Sequence, residues 1–310
     1  MKKMINQTHV EGYIYEHKLE SRVTGENSKN PGTAFIMGTL DVATDNALTN
    51  IVSVHFTYVT PTTASGKANA TYTVLKDIID GKYKTVMGAG KEVATKVRID
   101  SAIGLNEFYS DRSGTEELVS AKRNEGGFVH VVDALAENEN ERNTFAVDMV
   151  ITNVSRKEAD EEKNLPEKAV IKGCIFDFRN AILPVEFVTT NPKAMDYYES
   201  LDASAKTPVF TKLWGKQVSQ SVTRTVTEES AFGEDSVRTF SSTRKEWVIT
   251  GGAKETYTFG EEGDDLSAAD LKKAMADREI YLAGVKQRQD EYKASRNQPA
   301  VTAAAGGFNF

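Results

Sequence analysis

Apolar and polar residues alternate along much of this chain with a period of two residues. Such alternation is typical of β-strands that turn one face toward a core. Helix-like segments interrupt the alternation at residues 70–82 and 191–204. The predicted strands are residues 10–19, 33–45, 50–60, 144–154, 168–180 and 182–190, and four more that begin near Lys96, Gly127, Gln217 and Trp247.

The pattern of strands occurs twice in the same order. Gly38 and Gly173 hold equivalent places in it, and the sequence from Lys96 is similar to that from Gln217. Similarity in a fixed order is the signature of an internal repeat. The matching apolar pairs are Ile36 with Ile171, Leu40 with Ile175, Val54 with Val185 and Phe56 with Phe187. We therefore predict two copies of one small β-domain.

Each copy has the predicted element order β-β-β-α-β-β, which is that of the OB-fold, a five-stranded Greek-key barrel. An immunoglobulin-type sandwich would have about seven strands and no helix after the third. The predicted fold class is mainly β, with two tandem OB-fold-like five-stranded barrels, a helix between strands 3 and 4 of each, and a C-terminal helix. The predicted boundaries are 1–137 and 138–258 for the two domains, 259–295 for the C-terminal helix and 296–310 for a flexible tail.

The C-terminal helix is predicted to begin through Ser267 and Asp270, because this pair resembles a capping box. Its apolar residues that fall roughly on one face are Leu271, Met275, Leu282, Val285 and Tyr292. An apolar stripe of this kind packs against another element. It either docks onto the second barrel or pairs with a second copy of the chain in a homodimer.

Composition is that of a soluble globular protein, with 39% hydrophobic and 27% charged residues. No apolar run is long enough for a membrane helix, and the start of the chain lacks a secretory signal. The single cysteine, Cys174, cannot form an internal disulfide and is expected to be a buried thiol. We therefore expect a reducing compartment and no membrane partner.

The chain shows no residue pattern that is typical of an active site. In the glycine-rich segment 88–91, Thr85 takes the place of the glycine that a phosphate-binding loop requires, and Glu92 follows the lysine. The histidines are scattered without metal-ligand spacing: His9, His17, His55 and His130. We predict that the protein is not an enzyme and that it holds no metal or other cofactor.

A binding function fits the predicted fold better. OB-folds hold oligonucleotides or oligosaccharides on the face of strands 2 and 3 and with the loops between strands 1 and 2 and strands 4 and 5. Single strands are held by aromatic rings that stack on bases and by Lys and Arg side chains along the backbone. A net charge of −7 argues against coating nucleic acid by bulk electrostatics, but it allows a local basic groove.

Residue parity in the second strand of each copy separates the barrel interior from this binding face. The repeated apolar residues Ile36, Leu40, Ile171 and Ile175 are expected inside. Phe35 and Phe176 would then be exposed on the opposite face, beside Lys172, where both rings would stack on bases. The alternative is that the two phenylalanines pack under a loop or against the other barrel.

Two segments that we expect to be loops between strands 4 and 5 mix aromatic and basic residues, as a single-strand channel requires. They are residues 106–127 and 230–247. Their candidate binding residues are Phe108, Tyr109, Arg112, Lys122 and Arg123 in the first copy, and Arg244, Lys245 and Trp247 in the second. Carboxylates such as Glu116 and Glu229 lie among them.

In the segments NPGTAFIMGTLDVATD, IGLNEFYSDRSGTEELVSAKRNEGGF and VIKGCIFDFRNAILPVEF, the chain resembles single-stranded-DNA-binding proteins of tailed bacteriophages and related mobile elements of gut-type bacteria. The resemblance covers most of residues 5–295. It implies a protein of the bacterial host's cytoplasm that protects single strands in DNA replication or recombination. Many bacterial single-strand binders recruit replication or recombination proteins through an acidic tip with a final aromatic residue. Phe308 and Phe310 match the aromatic part and are candidate partner-binding residues, but GGFNF lacks acidic residues.

The leading hypothesis is single-stranded DNA binding with low sequence specificity. The residues expected to stack on bases are Phe35, Phe108, Tyr109, Phe176 and Trp247. The residues expected to neutralise phosphates are Lys122, Arg123, Lys172, Arg244 and Lys245. Two other classes stay open, because a fold alone does not decide function: a structural component of a virion or its assembly, and an adaptor that recruits replication enzymes.

Overall fold

The computed structural model describes residues 3–112, 114–160, 165–228, 232, 236–260 and 266–297, with the backbone alone for residues 220–228, 236, 238–244 and 295–297. The chain is mainly β. The strands are β1 (Asn6–Val23), β2 (Ala34–Ala43), β3 (Ile51–Val59), β4 (Lys96–Ser110), β5 (Glu117–Val131), β6 (Asn143–Lys157), β7 (Lys168–Phe176), β8 (Ile182–Thr189), β9 (Val209–Glu228) and β10 (Ser236–Gly252). The α-helices are α1 (Ala70–Ile79), α2 (Val86–Ala89), α3 (Pro192–Ser200) and α4 (Ala268–Asn297).

The strands form one large hydrogen-bonded sheet in which the two halves of the chain have the same pairing order. In the first half, β1 pairs with β2 and β4, β2 with β3, and β4 with β5, and a short parallel pairing joins β3 to β5. In the second half, β6 pairs with β7 and β9, β7 with β8, and β9 with β10, and β8 is parallel to β10. A helix follows the third strand in both halves, as predicted.

The segments expected to be loops between the fourth and fifth strands are the arms of long hairpins instead. β4 runs to Ser110 and β5 begins at Glu117. In the second half, β9 runs to Glu228 and β10 begins at Ser236. The expectation of loops is therefore wrong for residues 106–110, 117–127 and 236–247, whereas residues 230–231 and 233–235 lie outside the described residues. The described side chains of these arms are mostly exposed or half-buried, and strands without a fully buried apolar face lack the alternation from which strands are predicted.

Each half encloses its own apolar core. The four residues that parity placed inside are all fully buried, which confirms that prediction: Ile36, Leu40, Ile171 and Ile175. The first core also contains Leu75 of α1, and the second contains Met195 of α3. The helix after the third strand therefore covers the core of its own half, because its buried residues complete the apolar set that the strands supply.

The equivalent glycines of the two halves have the same structural role. A Cβ atom on Gly38 would collide with the carbonyl oxygen of Lys18, and one on Gly173 would collide with that of Val150. In both cases the obstacle is the backbone of the neighbouring strand, which cannot rotate away as a side chain can. Glycine in a strand interior often marks such a close approach of two backbones.

Replacement of Gly173 by alanine should lower the free energy of unfolding by about 1–3 kcal/mol, the usual cost of extra atoms in a packed interior. Gly25→Ala is the matched control, because no atom lies within 4 Å of the added methyl group. Its free energy of unfolding should stay within about 0.5 kcal/mol of that of the unmodified protein. Urea unfolding of both variants measures the difference, and equal stabilities would contradict the packing argument.

A buried cluster of amide side chains joins the two halves. Asn124 on β5 and Gln217 on β9 exchange two hydrogen bonds of 2.8 Å each. The backbone carbonyl oxygen of Gln217 also accepts hydrogen bonds from the side-chain amides of Asn50 at 3.2 Å and Asn143 at 2.5 Å. Because a buried amide is costly to leave unpaired, this cluster favours one fixed arrangement of the halves.

Helix α4 begins as predicted. The Ser267 hydroxyl accepts a hydrogen bond from the Asp270 backbone N–H at 3.0 Å and donates one to the Asp270 carboxylate at 2.9 Å. The predicted apolar stripe is correct only in part. Leu271 and Val285 are buried, but Met275 and Tyr292 are exposed.

The helix docks on both halves of the chain, whereas the docking alternative considered above had it contact the second barrel alone. Leu271 and Ala274 pack with Phe176 and Phe210 in a third apolar cluster that lies against the second half. Further along, Arg278 forms an ion pair with Glu107 on β4 of the first half. Helix α4 therefore borders the β4–β5 hairpin.

Candidate nucleic-acid interface

A groove of about 830 Å³ lies on the outer face of β7 and β8, beside the β4–β5 hairpin, β10 and α4. A cavity of about 130 Å³ continues it toward β3, and Lys122, Lys245 and Trp247 belong to both linings. We call the two together the basic groove. Its charged lining residues are Lys122, Arg123, Lys157, Lys168, Lys172, Lys245 and Arg278, with the carboxylates Glu107, Glu186 and Glu246. The excess of cations makes this groove attractive to an anionic ligand.

Lysines lie close together at one end of the basic groove. Lys157 on β6 is directly opposite Lys168 on β7 in the strand pairing. Like charges directly opposite each other destabilise a sheet. The Lys168 ammonium is 2.5 Å from the Glu246 carboxylate, and the exposed Lys172 ammonium is 3.8 Å from that of Glu186. Lys157 is exposed in the same lining, so an anion bound there would reduce the repulsion.

Lys122 lies at the centre of the basic groove and is half-buried. Its ammonium is 4.6 Å from the ring centroid of Phe187 and 5.6 Å from that of Trp247, and it donates a hydrogen bond to the Glu186 carbonyl oxygen. Burial lowers the pKa of Lys122 to about 8, although the Glu186 carboxylate acts in the opposite direction. A lysine of the first half therefore covers aromatic rings of the second.

Trp247 presents only part of its ring to the basic groove. It packs edge-on against Phe145, with ring centroids 5.4 Å apart, and against Phe187 at 6.4 Å. These contacts hold the indole in one orientation, and they join it to the core of the second half. A ring held in this way can stack on a base at its free surface without losing further side-chain freedom.

The smaller cavity brings Arg123 and His55 of the first half to the basic groove. Arg123 is half-buried and pairs with Glu125 at 2.9 Å. His55 lies 3.2 Å from the Thr39 hydroxyl. Burial lowers the pKa of His55, and the nearby Arg123 guanidinium lowers it further. His55 is therefore neutral at physiological pH and can take part in hydrogen bonds but not in charge neutralisation.

Phe35 lies further along the outer face of β2 and β3. It is half-buried and packs against the exposed Tyr58, with ring centroids 4.8 Å apart and a tilt of 39° between the rings. The expectation that Phe35 is exposed is therefore correct only in part. Together the two rings form an aromatic surface on the strand 2–3 face of the first half.

Phe176 is not exposed, so the expectation of an exposed Phe176 is wrong. It is fully buried with Cys174 in the apolar cluster that α4 completes. Residue parity correctly placed both side chains on the outer face of β7, but α4 covers that part of the face. Burial raises the pKa of the Cys174 thiol to about 12, so the predicted buried thiol is confirmed and it is protonated.

The candidate residues at the far end of the first hairpin are not in the lining of the basic groove. The Phe108 side chain and Arg112 are exposed there. Tyr109 is half-buried beside α4, because its backbone N–H donates a 2.8 Å hydrogen bond to Gln289 and the Lys286 ammonium lies 5.4 Å from its ring centroid. The side chain of Arg244, and all of Phe308 and Phe310, lie outside the described residues.

Of the predicted site residues, Lys122, Arg123, Lys172, Lys245 and Trp247 come together in the basic groove. Sequence reasoning missed Lys157 and Lys168. The available signal was their position at the two ends of a polar loop that joins adjacent antiparallel strands, which places them opposite each other.

Among the residues that the structure describes, no group of histidine, cysteine, aspartate and glutamate side chains could hold a metal ion. No helix in the described part of the chain is long and apolar enough to cross a membrane.

Comparison with known proteins identifies a family. The YorF family model matches residues 4–288, so the chain belongs to the YorF family. A deletion variant of the single-stranded DNA binding protein from Thermus aquaticus is similar in structure, with 11% sequence identity and a TM-score of 0.46 over 84% of this chain and 100% of that chain. The wild-type Thermus aquaticus protein has 10% identity and a TM-score of 0.46 over 84% of this chain and 98% of that chain. No curated protein matches the chain. Structural similarity at 10–11% identity and a TM-score of 0.46 identifies no function for this chain.

Proposed function

We propose that the chain binds single-stranded DNA with low sequence specificity, in support of phage-type DNA replication or recombination. The observation that carries this proposal is the basic groove, where lysines of β5, β7 and β10 share one lining with Trp247. Proteins that bind single strands without sequence preference combine a positively charged groove with aromatic rings on which bases stack. In a duplex the bases stack on one another, and Trp247 could not reach them.

We also propose that each half is an OB-type barrel, with boundaries at residues 1–137 and 138–258. The pairing order supports this, because the first strand of each half pairs with the second and the fourth, and the third pairs with the fifth. An OB-fold holds its ligand on strands 2 and 3. In the second half these strands are β7 and β8, which form the floor of the basic groove.

The test is a fluorescence-anisotropy titration of labelled oligo-dT, duplex DNA and single-stranded RNA at several salt concentrations. We expect tight binding to oligo-dT and weak binding to the duplex. The logarithm of affinity should fall with the logarithm of salt concentration, with a slope of about −0.7 for each phosphate contacted. In the Trp214→Phe variant, in which Trp247 is the only tryptophan, binding should change the tryptophan emission.

Other results would overturn the proposal. Equal affinity for duplex and oligo-dT would remove the role of base stacking. An affinity that does not respond to salt would remove the role of the lysines. Absence of binding to every nucleic acid at low salt would leave a structural or adaptor function for the two halves. The RNA titration decides whether the preference is for DNA.

The affinity for oligo-dT should fall as the pH rises through 8, because the pKa of Lys122 is about 8 and only the protonated ammonium attracts phosphate. The protonated fraction falls about tenfold for each pH unit above the pKa, so affinity should decrease by up to about tenfold between pH 7 and pH 9. Anisotropy titrations across this range measure the effect. The profile of Lys122→Arg should be flat, since arginine stays charged.

The Lys122 ammonium should affect the free energy of unfolding in the opposite direction, so that stability rises where affinity falls. The pKa of Lys122 is lower in the folded protein than the ordinary value of 10.5, so its buried charge opposes folding below pH 8. This unfavourable contribution disappears as the pH rises from 8 toward 10.5. The protein therefore stays folded over the pH range in which its affinity falls. A loss of affinity in that range reports weaker binding and not unfolding. Parallel pH profiles for the unmodified protein and Lys122→Arg would contradict the assignment to Lys122.

A further inference from the structure

A second groove, of about 1,030 Å³, lies where β1 meets β6 at the junction of the two halves. Residues of β4, β5, β9, β10 and the β7–β8 turn complete its lining. We call it the junction groove. It has no lining residue in common with the basic groove, so a ligand could occupy each of them separately.

Three exposed aromatic rings converge on the junction groove from three different elements. Phe178 in the β7–β8 turn is 74% exposed, Phe128 on β5 is 70% exposed and Trp214 on β9 is 41% exposed. Exposed apolar surface that is gathered in one place marks an interaction site, whereas scattered apolar residues do not. Tryptophan and other large side chains in a pocket are the residues that dominate binding energy in protein interfaces.

The structure holds Phe178 in its exposed position. The Asp177 carboxylate accepts hydrogen bonds of 2.8 Å from the backbone N–H groups of Arg179 and Ala181, and this fixes the turn. The Arg179 guanidinium lies 4.9 Å from the ring centroid of Phe178. The ring therefore already forms a cation–π contact, of the kind that a guanidinium or ammonium group of a ligand could form with it.

Charge distinguishes the junction groove from the basic groove. Lys3 is its only lysine or arginine among the described lining residues, and its carboxylates are Asp100, Glu125 and Asp177. His9 and Arg123 already pair with Asp100 and Glu125. Lys3 is therefore the main cation that the described lining offers to a phosphate. Because phosphate neutralisation dominates nucleic-acid affinity, this groove does not suit DNA or RNA.

We propose that the junction groove binds a segment of a partner protein in which aromatic or aliphatic side chains alternate with lysine or arginine. The apolar side chains would pack on Phe128, Phe178 and Trp214. The cations would approach the Asp177 carboxylate at the edge of the groove, because Asp100 and Glu125 already pair with His9 and Arg123. This surface stays free when the basic groove is occupied. The inference does not depend on the proposed DNA binding.

The two tryptophans of the chain allow a direct test, because Trp214 lines the junction groove and Trp247 lines the basic groove. In Trp247→Phe the only tryptophan is Trp214. We would titrate this variant with a synthetic peptide of alternating lysine and phenylalanine, and with matched peptides that carry glutamate in place of lysine or alanine in place of phenylalanine. The Lys-Phe peptide should change Trp214 emission saturably and bind at least about tenfold more tightly than either matched peptide.

Substitutions in the groove provide the second measurement. Phe128→Ser and Phe178→Ser, each made in the Trp247→Phe background, remove exposed rings and should each weaken binding of the Lys-Phe peptide by about tenfold. Ile280→Ser is the matched control, because Ile280 is 72% exposed on α4 and lines neither groove. It should leave the peptide affinity unchanged.

Four results would overturn the inference. Equal binding of the Glu-Phe peptide would show that charge plays no part. A response of Trp214 to oligo-dT would make the groove a nucleic-acid site. Tighter binding of a synthetic peptide of residues 298–310 would identify the chain's own terminus as the occupant. A dimer that Phe128→Ser dissociates would identify a second copy. If the chain did not bind DNA, oligo-dT would instead leave the Trp247 emission of the Trp214→Phe variant unchanged.

Discussion

Reversal of two charges in the basic groove, Lys172→Glu with Lys245→Glu, should weaken binding to oligo-dT by at least about 100-fold. Both side chains are exposed in the lining, so their replacement should leave the fold intact. A hydrogen bond to a charged group contributes about 1.5–3 kcal/mol, and loss of two such contacts gives about 3 kcal/mol or more. A carboxylate at each position adds repulsion of the phosphates. Anisotropy titration at fixed salt measures the loss.

The control for this prediction has the same net charge. Lys67→Glu with Lys193→Glu also reverses two exposed lysines, but neither lines the basic groove. It should leave affinity within a few-fold of that of the unmodified protein at moderate salt, where distant surface charges are screened beyond about 10 Å. The salt dependence gives a second reading, because loss of two phosphate contacts should reduce the log–log slope by about 1.4. Equal losses in the two variants would show that affinity follows net charge and not the groove.

The features that could be predicted from the sequence are those that each element determines locally. Alternation within β2 and β7 correctly placed Ile36 and Ile171 inside, because a strand with one face on a core repeats with period two. The order of strands and helices was predicted for the same reason. Gly38 and Gly173 matched between the halves because both meet the backbone of a neighbouring strand.

The features that could not be predicted depend on contacts between distant parts of the chain. Parity alone placed Phe176 on an outer face, but α4, about a hundred residues later in sequence, covers that face. Lys122 was a candidate because of its charge. Its position over Phe187 and Trp247 depends on how the first hairpin lies against the second half. The hairpin arms could not be recognised as strands from the sequence, because they carry no regular apolar alternation.

Loss of the Arg278–Glu107 ion pair should destabilise the docking of α4 by about 3–5 kcal/mol, the usual result of removing one partner from a buried pair. The side chains of Arg278 and Glu107 are only 11% and 1% exposed. Two guanidinium nitrogens of Arg278 donate to the two Glu107 oxygens, and the Ser120 hydroxyl donates to the same carboxylate at 3.0 Å. In Arg278→Met the carboxylate would stay buried without its cation. Hydrogen exchange of the α4 amides should then be at least about 100-fold faster, because it reports the free energy of local opening.

Two further variants separate this buried pair from ordinary surface charge. Glu116→Gln also removes ion pairs to α4, those with Lys286 and Lys293, but these lysines are exposed, so exchange in α4 should change little. Arg278→Met combined with Glu107→Leu replaces the pair by apolar side chains and should restore slow exchange, since no buried charge is then left unpaired. If Arg278→Met behaved like Glu116→Gln, the buried pair would not hold the helix. Arg278 also lines the basic groove, and both Arg278 variants lack its cation. A difference in DNA affinity between these two variants would therefore report the docking of α4 and not the loss of that cation.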